Sequence, residues 1–598
     1  MDGFSSNLER GDRSLRDGRY AEAESALSAA AAADPRSVKA HFKLGIALER
    51  QRKWAAAEAA FREAVRWKRD HALAWLRLAA ACRRQGKDAD EEHAIREAVR
   101  LAPGNAEARH NLAVTLARRG KLGEAVVAYT EAAGLAPRNA VLHHGLGLTL
   151  AGLGRYEEAA AAFREAVQLD PRRARARVHL GDALKRQRKW AEAAAAYRHA
   201  LELQPERSEL HGRLGLMLER LRRPGEAATA YTRAIRLDPD NGFWLGHLGM
   251  VLERQGRFPE AEAAFRQSVL RRPDFLGAWL GLAMACRRQE KWSEEALAYA
   301  RAIELRPDDA NLRADLGLAL EAQGLLAEAE AAFRDAVAQA PDNADLHVEL
   351  GIALGRQGRH AEAEAALREA IRLNPADMVA RANLALGLGR QGRHADSEAA
   401  YRAALAIKPE AAALRRGLGM ALYFQAKHAE AEAAFREAIR LKPGYARARA
   451  DLGELCMEQR RYAEAADAFR EAVRVKPRRA ASHRGLGAAL LAQGMLADAE
   501  AAYREALRLR PDDSQSHFNL WTALERQGRW ADAEAAYRAA IRVKPDLAEA
   551  HARLGAALAR QGRWAQAKSA YTEAVRLDPD EPTFRNGLAA VKRRERSA

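Results

Sequence analysis

Residues 548–581 read AEAHARLGAALARQGRWAQAKSAYTEAVRLDPDE, and the same pattern returns every 34 residues along almost the whole chain. Counting back from Pro579 by that interval meets Pro545, Pro511, Pro477, Pro443, Pro409, Pro375, Pro341, Pro307, Pro273, Pro239, Pro205, Pro171, Pro137, Pro103 and Pro35, with only Arg69 out of series. The frame holds seventeen tandem repeats over residues 4–581, starting at 4, 38, 72, 106, 140, 174, 208, 242, 276, 310, 344, 378, 412, 446, 480, 514 and 548, without an insertion or deletion. A period of this length marks a solenoid, in which stacked repeats bury one continuous core and no domain boundary is expected.

Numbering each repeat from place 1 to place 34, with the recurring proline at place 32, sorts the residues into two helices. Leu fills place 7 in every repeat but the first, Gly or Ala fills place 8 in all but one, and Leu is usual at place 11. These share one face of a 3.6-residue period, helix A. Gln-Gly-Arg is common at places 14–16, where glycine ends the helix and makes the tight turn. Place 20 is mostly Ala, place 24 is Phe, Tyr, Leu or Ile, and place 27 is Ala except for Ser268. Spacings of three and four mark the buried stripe of helix B, which proline then stops.

Composition agrees with closely packed helices. The chain is 48% hydrophobic, with Ala dominant, and only 6% aromatic. The net charge is +17, but 98 basic residues stand against 81 acidic ones mixed within every repeat, which describes a solvated helical surface before a nucleic-acid groove. The opening MDGFSSNLERGDR has no leader pattern, and no run is long and apolar enough to span a membrane, so a soluble, cytoplasmic protein is expected. Cys82, Cys286 and Cys456 all occupy place 11 and are expected to be small core residues, with no disulfide framework.

The pattern resembles the tetratricopeptide repeat family in its occasional aromatic at place 4, Leu at 7, Gly at 8, Ala at 20, aromatic at 24, Ala at 27 and Pro at 32. The resemblance covers residues 4–581 and implies an all-α, right-handed α-solenoid of antiparallel helix pairs. It further implies that the concave surface, lined mainly by helix A, holds peptides, with places 2, 5, 6, 9, 12 and 13 facing the groove. The first repeat departs from the pattern with Asn7, Arg10 and Ser14, and residues 582–598, with Leu588 and Ala589 in phase, are expected to form a capping helix and charged tail.

No motif for phosphate binding, zinc-dependent hydrolysis or a nucleophile elbow occurs, and no residues remain for a separate catalytic domain, so an enzyme is not expected and neither is a cofactor. His41, His143, His211, His347, His483, His517 and His551 share place 4. Equivalent points on successive A helices lie about two spacings of roughly 8–10 Å apart, too far for one ion at about 2 Å from each ligand. No metal is expected there; because other repeats carry Arg or Trp, the place reads as bulk. Glu at place 21 and Arg at place 25, as in Glu58 with Arg62, Glu262 with Arg266, Glu364 with Arg368, Glu432 with Arg436 and Glu534 with Arg538, read as solvated pairs on helix B, worth about 0.2–0.5 kcal/mol each.

Candidate binding residues are sought among the departures and in the groove. Place 13 is arginine in Arg16, Arg50, Arg84, Arg118, Arg186, Arg220, Arg254, Arg288, Arg356, Arg390, Arg526 and Arg560. Such a line can hold an acidic, extended partner, or it can simply complement the helix dipole. The two-carboxylate clamp of some family members is absent: Asn111, Asn383 and Asn519 stand at place 6 without the expected partners in the preceding repeats. Repeats 3 and 9 pair Trp75 with Arg83 and Arg84, and Trp279 with Arg287 and Arg288, a hot-spot composition that a past duplication also explains. Their Glu91 and Glu295 take a place that otherwise holds a small residue, so each needs a partner. Trp521 fills place 8 and reads as an over-packed residue or an exposed anchor.

The expected function is a non-catalytic scaffold that binds a protein or extended peptide, acidic in character, along helix A. The alternative is a regulatory or nucleic-acid-associated scaffold; the acids Glu49, Glu219, Glu253, Glu321 and Glu525 beside the arginine line argue against it. Nothing in the sequence supports self-association.

Overall fold

The computed structural model describes residues 2–597, which form 35 helices and no strand among the described residues. The fold is all-α, an α-solenoid of antiparallel helix pairs. Helix A typically fills places 1–13, as in Val38–Arg50, and helix B places 17–30, as in Trp54–Trp67. Helix B therefore ends two residues before the proline, and the place-31 N–H closes it on the place-27 carbonyl, as Asp170 does on Ala166 at 3.1 Å.

The turn between the helices needs one left-handed residue, at place 15. Glycine supplies it in most repeats, for example Gly392 at φ 77°. Arg52, Arg188, Arg222, Glu290, Ala426 and Arg460 hold the same conformation, at φ between 56° and 61°, against their own steric preference.

The chain forms two compact bodies, Met1–Leu305 and Arg306–Ala598. Within each, a helix packs on its predecessor and its successor, so cores run along the stack. In the N-terminal body one apolar cluster extends from Leu150 to Val251. In the C-terminal body another runs from Ala450 to Val591. The helix Pro582–Ser597 seals Phe584 and Val591 into that body, and its basic last turn stays helical, so the charged tail is part of the helix rather than an extension of it. In the first repeat, helix A (Asp2–Arg16) buries little beyond Gly11 and Ser14.

The place-24 side chain, a ring in most repeats, is the centre of each. Phe61 is fully buried because Gly45, at place 8 of its own repeat, leaves the volume for it; a Cβ there would fall 2.5 Å from the ring. Repeat 16 solves the same problem differently. Trp521 at place 8 is 2% exposed and packs on Tyr537, ring centroids 4.6 Å apart. It is core, and the expectation of an exposed anchor is corrected: an indole that replaces glycine inside the stack has nowhere to point but inward.

Two further features revise the sequence reading. Place 4 is not mere bulk. His41 Nε2 lies 3.0 Å from the Pro35 carbonyl, Trp75 Nε1 donates to Arg69 O at 2.8 Å, and Arg109 Nε to Pro103 O at 2.9 Å. The same bond recurs from His143, Arg177, His211, Trp279, Arg313, His347, Arg381, Arg415, Arg449, His483, His517 and His551. Repeat 8, with Leu245, has no donor to offer. Histidine, arginine and tryptophan share one property here, an N–H that reaches the place-32 carbonyl of the preceding repeat.

Place 21 is not solvated. Glu58 is 1% exposed and accepts from Gln85 Nε2 at 2.6 Å and Lys87 Nζ at 2.7 Å, places 14 and 16 of the next repeat, as well as from Arg62. Glu24, Glu262, Glu330, Glu398, Glu500 and Glu534 make the equivalent contacts, and Glu92 does so with Arg119 and Lys121. This acid is a latch between repeats, buried because the turn of the next repeat closes over it. Lys568 and Glu595 form the last such pair with the charges exchanged, at 2.9 Å. Repeats 4 to 7 carry Val126, Ala160, Ala194 and Ala228 instead, which is where the long apolar cluster lies.

The cysteines are buried, and burial pushes the Cys82 and Cys286 thiols up to about 11. Cys82 lies near Glu58 and Asp90. That trio does not fit a metal: Glu58 is already neutralised by Lys87 and Arg62, and the thiol resists ionisation.

Candidate functional site

The A-helix face is where successive helices present places 2, 5, 6, 9, 12 and 13. Place 9 draws an apolar line. In the N-terminal body it runs Ile46, Ala80, Val114, Leu148, then Asp182, then Leu216, Met250 and Met284; in the C-terminal body it begins Leu318, Ile352, Leu386, Met420. Leu148, Met284 and Leu386 are 45%, 43% and 45% exposed, and the other large members are half-buried. The sequence carried this signal at one fixed place, but the constant leucines at places 7 and 11 on the same helix masked it.

The place-13 arginines flank the line, and all of them are exposed. Most have internal tasks. Arg118 binds Glu91 and Asp88, Arg254 reaches Glu219 at 3.4 Å and Arg356 reaches Glu321 at 2.6 Å. Arg390 and Arg526 donate to the carbonyls of Gly355 and Leu491, each at 3.4 Å. Arg84 lies over the Trp54 ring at 5.5 Å and Arg560 over Trp530 at 5.1 Å. Two neighbours supply these contacts: the place-12 carboxylate or carbonyl of the previous A helix, for Arg254, Arg356, Arg390 and Arg526, and the first turn of the previous B helix, for Arg84, Arg118 and Arg560. Arg50, Arg186, Arg220 and Arg288 make no hydrogen bond or ion pair among the described residues.

Repeats 3 and 9 do not form the grouped hot spot expected of them. Trp75 sits in the first turn of its helix and Arg84 in the last, nine residues on, so about 13.5 Å separates them along the axis at 1.5 Å per residue. Arg83 Nε turns inward to the fully buried Glu91 at 2.7 Å, where Thr115 Oγ1 also donates at 2.7 Å. Arg287 does the same for Glu295 at 2.5 Å. The acids at place 20 thus find their partners in the arginine at place 12 of the same helix pair.

Between repeats 7 and 8 the face opens into a pocket of about 680 Å³, walled by Leu216, Met250 and Val251 and rimmed by Glu219, Arg220, His247 and Arg254. Glu219 accepts from Tyr231 Oη at 2.5 Å and lies 2.9 Å from His247 Nδ1. Its burial opposes ionisation, but His247 and Tyr231 hold its carboxyl below the usual range. Two repeats earlier, His144 Nε2 and His179 Nδ1 lie 2.9 Å apart, a pair that needs one donor and one acceptor and so two neutral rings. Burial, then the neighbouring His179, pushes His144 down to about 4. Among the described residues no helix is long and apolar enough to cross a membrane.

A family model described as tetratricopeptide repeat matches residues 8–70, 47–106, 92–140, 144–198, 179–242, 248–310, 314–378 and 382–446. A second, described as the cilia and flagella-associated protein 70 C-terminal domain, matches residues 415–598. Similar solved structures include the APC/C hetero-tetramer Cut9-Hcn1, at 16% identity over 81% of this chain and 96% of that one, TM-score 0.35. Yeast Tom70 is 18% identical over 71% and 96%, TM-score 0.34, and Naa15/Naa10 bound to HypK-THB is 14% identical over 99% and 96%, TM-score 0.34. The curated proteins offer no match. The repeat model covers most of the chain: the protein belongs to the tetratricopeptide repeat family.

Proposed function

We propose that the protein is a non-catalytic scaffold whose A-helix face binds a protein or extended peptide of acidic, partly apolar character. The observation that carries this reading is the partly exposed place-9 line beside arginines without internal partners among the described residues, Arg186, Arg220 and Arg288. Apolar surface presented at one place per repeat suits an extended chain laid along the stack, and guanidinium forks alongside suit its carboxylates. The pocket at repeats 7 and 8 gives one apolar side chain a deeper seat, and Arg220 stands at its rim.

The test is comparative affinity capture with wild-type protein and two variants, Arg220→Glu with Arg288→Glu, and Leu216→Asp, each partner quantified by mass spectrometry. Partners of the A-helix face are expected to fall at least about tenfold in both variants. Retention of every partner at wild-type yield by folded variants would discard the reading.

A further inference from the structure

In the C-terminal body the apolar line stops at repeat 14, where place 9 is Glu454. Around it stand Arg416, Arg479 and Arg484, and Arg447 lies near Arg479 and Asp451. Two of these are engaged: Arg416 binds the buried carboxylate of Asp451, and Arg484 holds Asp513 at 3.0 Å. Arg447 makes no hydrogen bond or ion pair among the described residues, and Nη1 of Arg479 is buried without a partner.

Arg479 also occupies a place that asks for the opposite chemistry. It is the N-cap of helix A in repeat 15, Ala480–Ala492, where free backbone N–H groups call for an acceptor. Asn105, Asn139, Asp309, Asn343 and Asp377 supply one at the same place. Arg479 supplies none and adds a cation to the positive end of the helix. Arg173 and Arg207 share this place but find acceptors at place 31, Asp170 at 3.2 Å and Gln204 Oε1 at 3.1 Å. Place 31 in repeat 14 is Lys476.

One turn into the helix, Ser482 is fully buried and its hydroxyl has no partner. Its counterpart in the next repeat, Ser516, donates to the N-cap carboxylate of Asp513. The entry to repeat 15 thus lacks a carboxylate that repeat 16 carries in its own sequence. Burial, with Arg447 and Arg416 alongside, holds the Arg479 guanidinium below its usual range although Asp451 and Glu454 oppose this, and burial with Asp451 raises Glu454. Asp451, already bound to Arg416, and Glu454 offset the two arginines only in part.

We propose that Arg447 and Arg479 form a subsite for a side-chain carboxylate of an acidic segment in a partner protein, placed where the apolar line of the A-helix face ends. This rests on the reading of that face as a peptide groove. A carboxylate fits both guanidinium forks and provides the acceptor missing at the N-cap, while apolar residues further along the segment run back toward Met420 and Leu386. Glu454 competes for the same cations and tempers the affinity.

A fluorescein-labelled hexaglutamate peptide titrated against the full chain at low ionic strength, read by anisotropy, tests this. Arg447→Met with Arg479→Met is expected to weaken binding at least about tenfold. Lys408→Met with Arg478→Met removes the same charge from exposed positions outside the subsite and is expected to change it less than about twofold. Glu454→Gln is expected to tighten it. Equal losses in the two double variants, or no gain in Glu454→Gln, would overturn the subsite. The groove reading is tested separately, on Leu216, Arg220 and Arg288 in the other body, so a failure of the subsite is distinguishable from a failure of the groove reading.

Discussion

At place 4 a side chain is asked for one thing, a nitrogen donor long enough to reach the carbonyl six residues back. His347 does this with Nε2 at 2.8 Å from Pro341 O. His347→Arg is therefore expected to leave the urea midpoint unchanged, because Arg381 and Arg415 make the same bond, whereas His347→Ala is expected to cost about 1 kcal/mol. Equal midpoints for the two variants would return the place to a packing role. Place 15 gives a second test. Ala426 sits at φ 58°, so Ala426→Gly is expected to raise stability by about 0.5–1 kcal/mol, relief of the left-handed strain outweighing the added freedom of the unfolded chain. Residue roles of this kind were only half legible in the sequence. Glycine at place 15 announced its turn, but histidine, arginine and tryptophan at place 4 belong to different chemical classes, and what unites them is a distance that only the folded turn defines. Trp521 was left between an over-packed residue and an exposed anchor for a related reason: a place marked as tight by glycine in its neighbours says nothing about which way a ring turns when it replaces one.

At the scale of the element, the latch between repeats couples helix B to the following turn. Glu330 illustrates it, accepting from Gln357 at 3.0 Å and from Arg359 at 2.5 Å. Burial works against the charge of Glu58, Glu92, Glu262, Glu330 and Glu534, but the facing cations and amides hold all five below the ordinary carboxylate range. For Glu24, Glu398 and Glu432 the facing Lys53, Lys427 and Arg461 are the leading cause of the same shift. A carboxylate whose folded pKa is depressed stabilises the fold fully above its unfolded value, near 4.3, and loses that contribution as pH falls through the folded value. Thermal midpoints are therefore expected to drop steeply below about pH 4.3, and Glu330→Ala to lose part of that dependence along with about 1–3 kcal/mol at neutral pH. A Glu330→Ala profile parallel to wild type would remove this latch as an acid-sensitive group. The sequence showed the acid and the intrahelical arginine four residues on; the glutamine and lysine that bury it come from the next repeat, and a pattern read helix by helix does not join them. The helices themselves, their length, their turns and the A-helix face were legible because the 34-residue period repeats every constraint.

Across the whole molecule the charged latches are unevenly distributed, and so is the response to pH. In the N-terminal body, repeats 5 and 6 rely on the neutral pair His144 and His179. Burial lowers both pKa values, that of His144 to about 4, so the unfolded chain takes up protons from about pH 6.5 while the fold refuses them. Stability there is expected to decline between about pH 6.5 and 4, ahead of the glutamates. Faster amide exchange in residues 140–186 at pH 5 than at pH 7, after correction for intrinsic rates, and its suppression in His144→Phe, would establish the step; unchanged protection would remove it.

The stretch without glutamate latches, Val126 to Ala228 at place 21, has a mechanical consequence. A hydrogen-bonded carboxylate fails once its partners part by an ångström or two, so latched repeats are brittle under tension. Apolar contact is non-directional and has no single bond to break, so the cluster from Leu150 to Val251 is expected to give way more gradually. Pulled from its ends, the chain is expected to yield in steps of about 34 residues where repeats are latched, each releasing roughly 110–120 Å of chain, and without a sharp break across repeats 4 to 7, a contrast that single-molecule force extension reads.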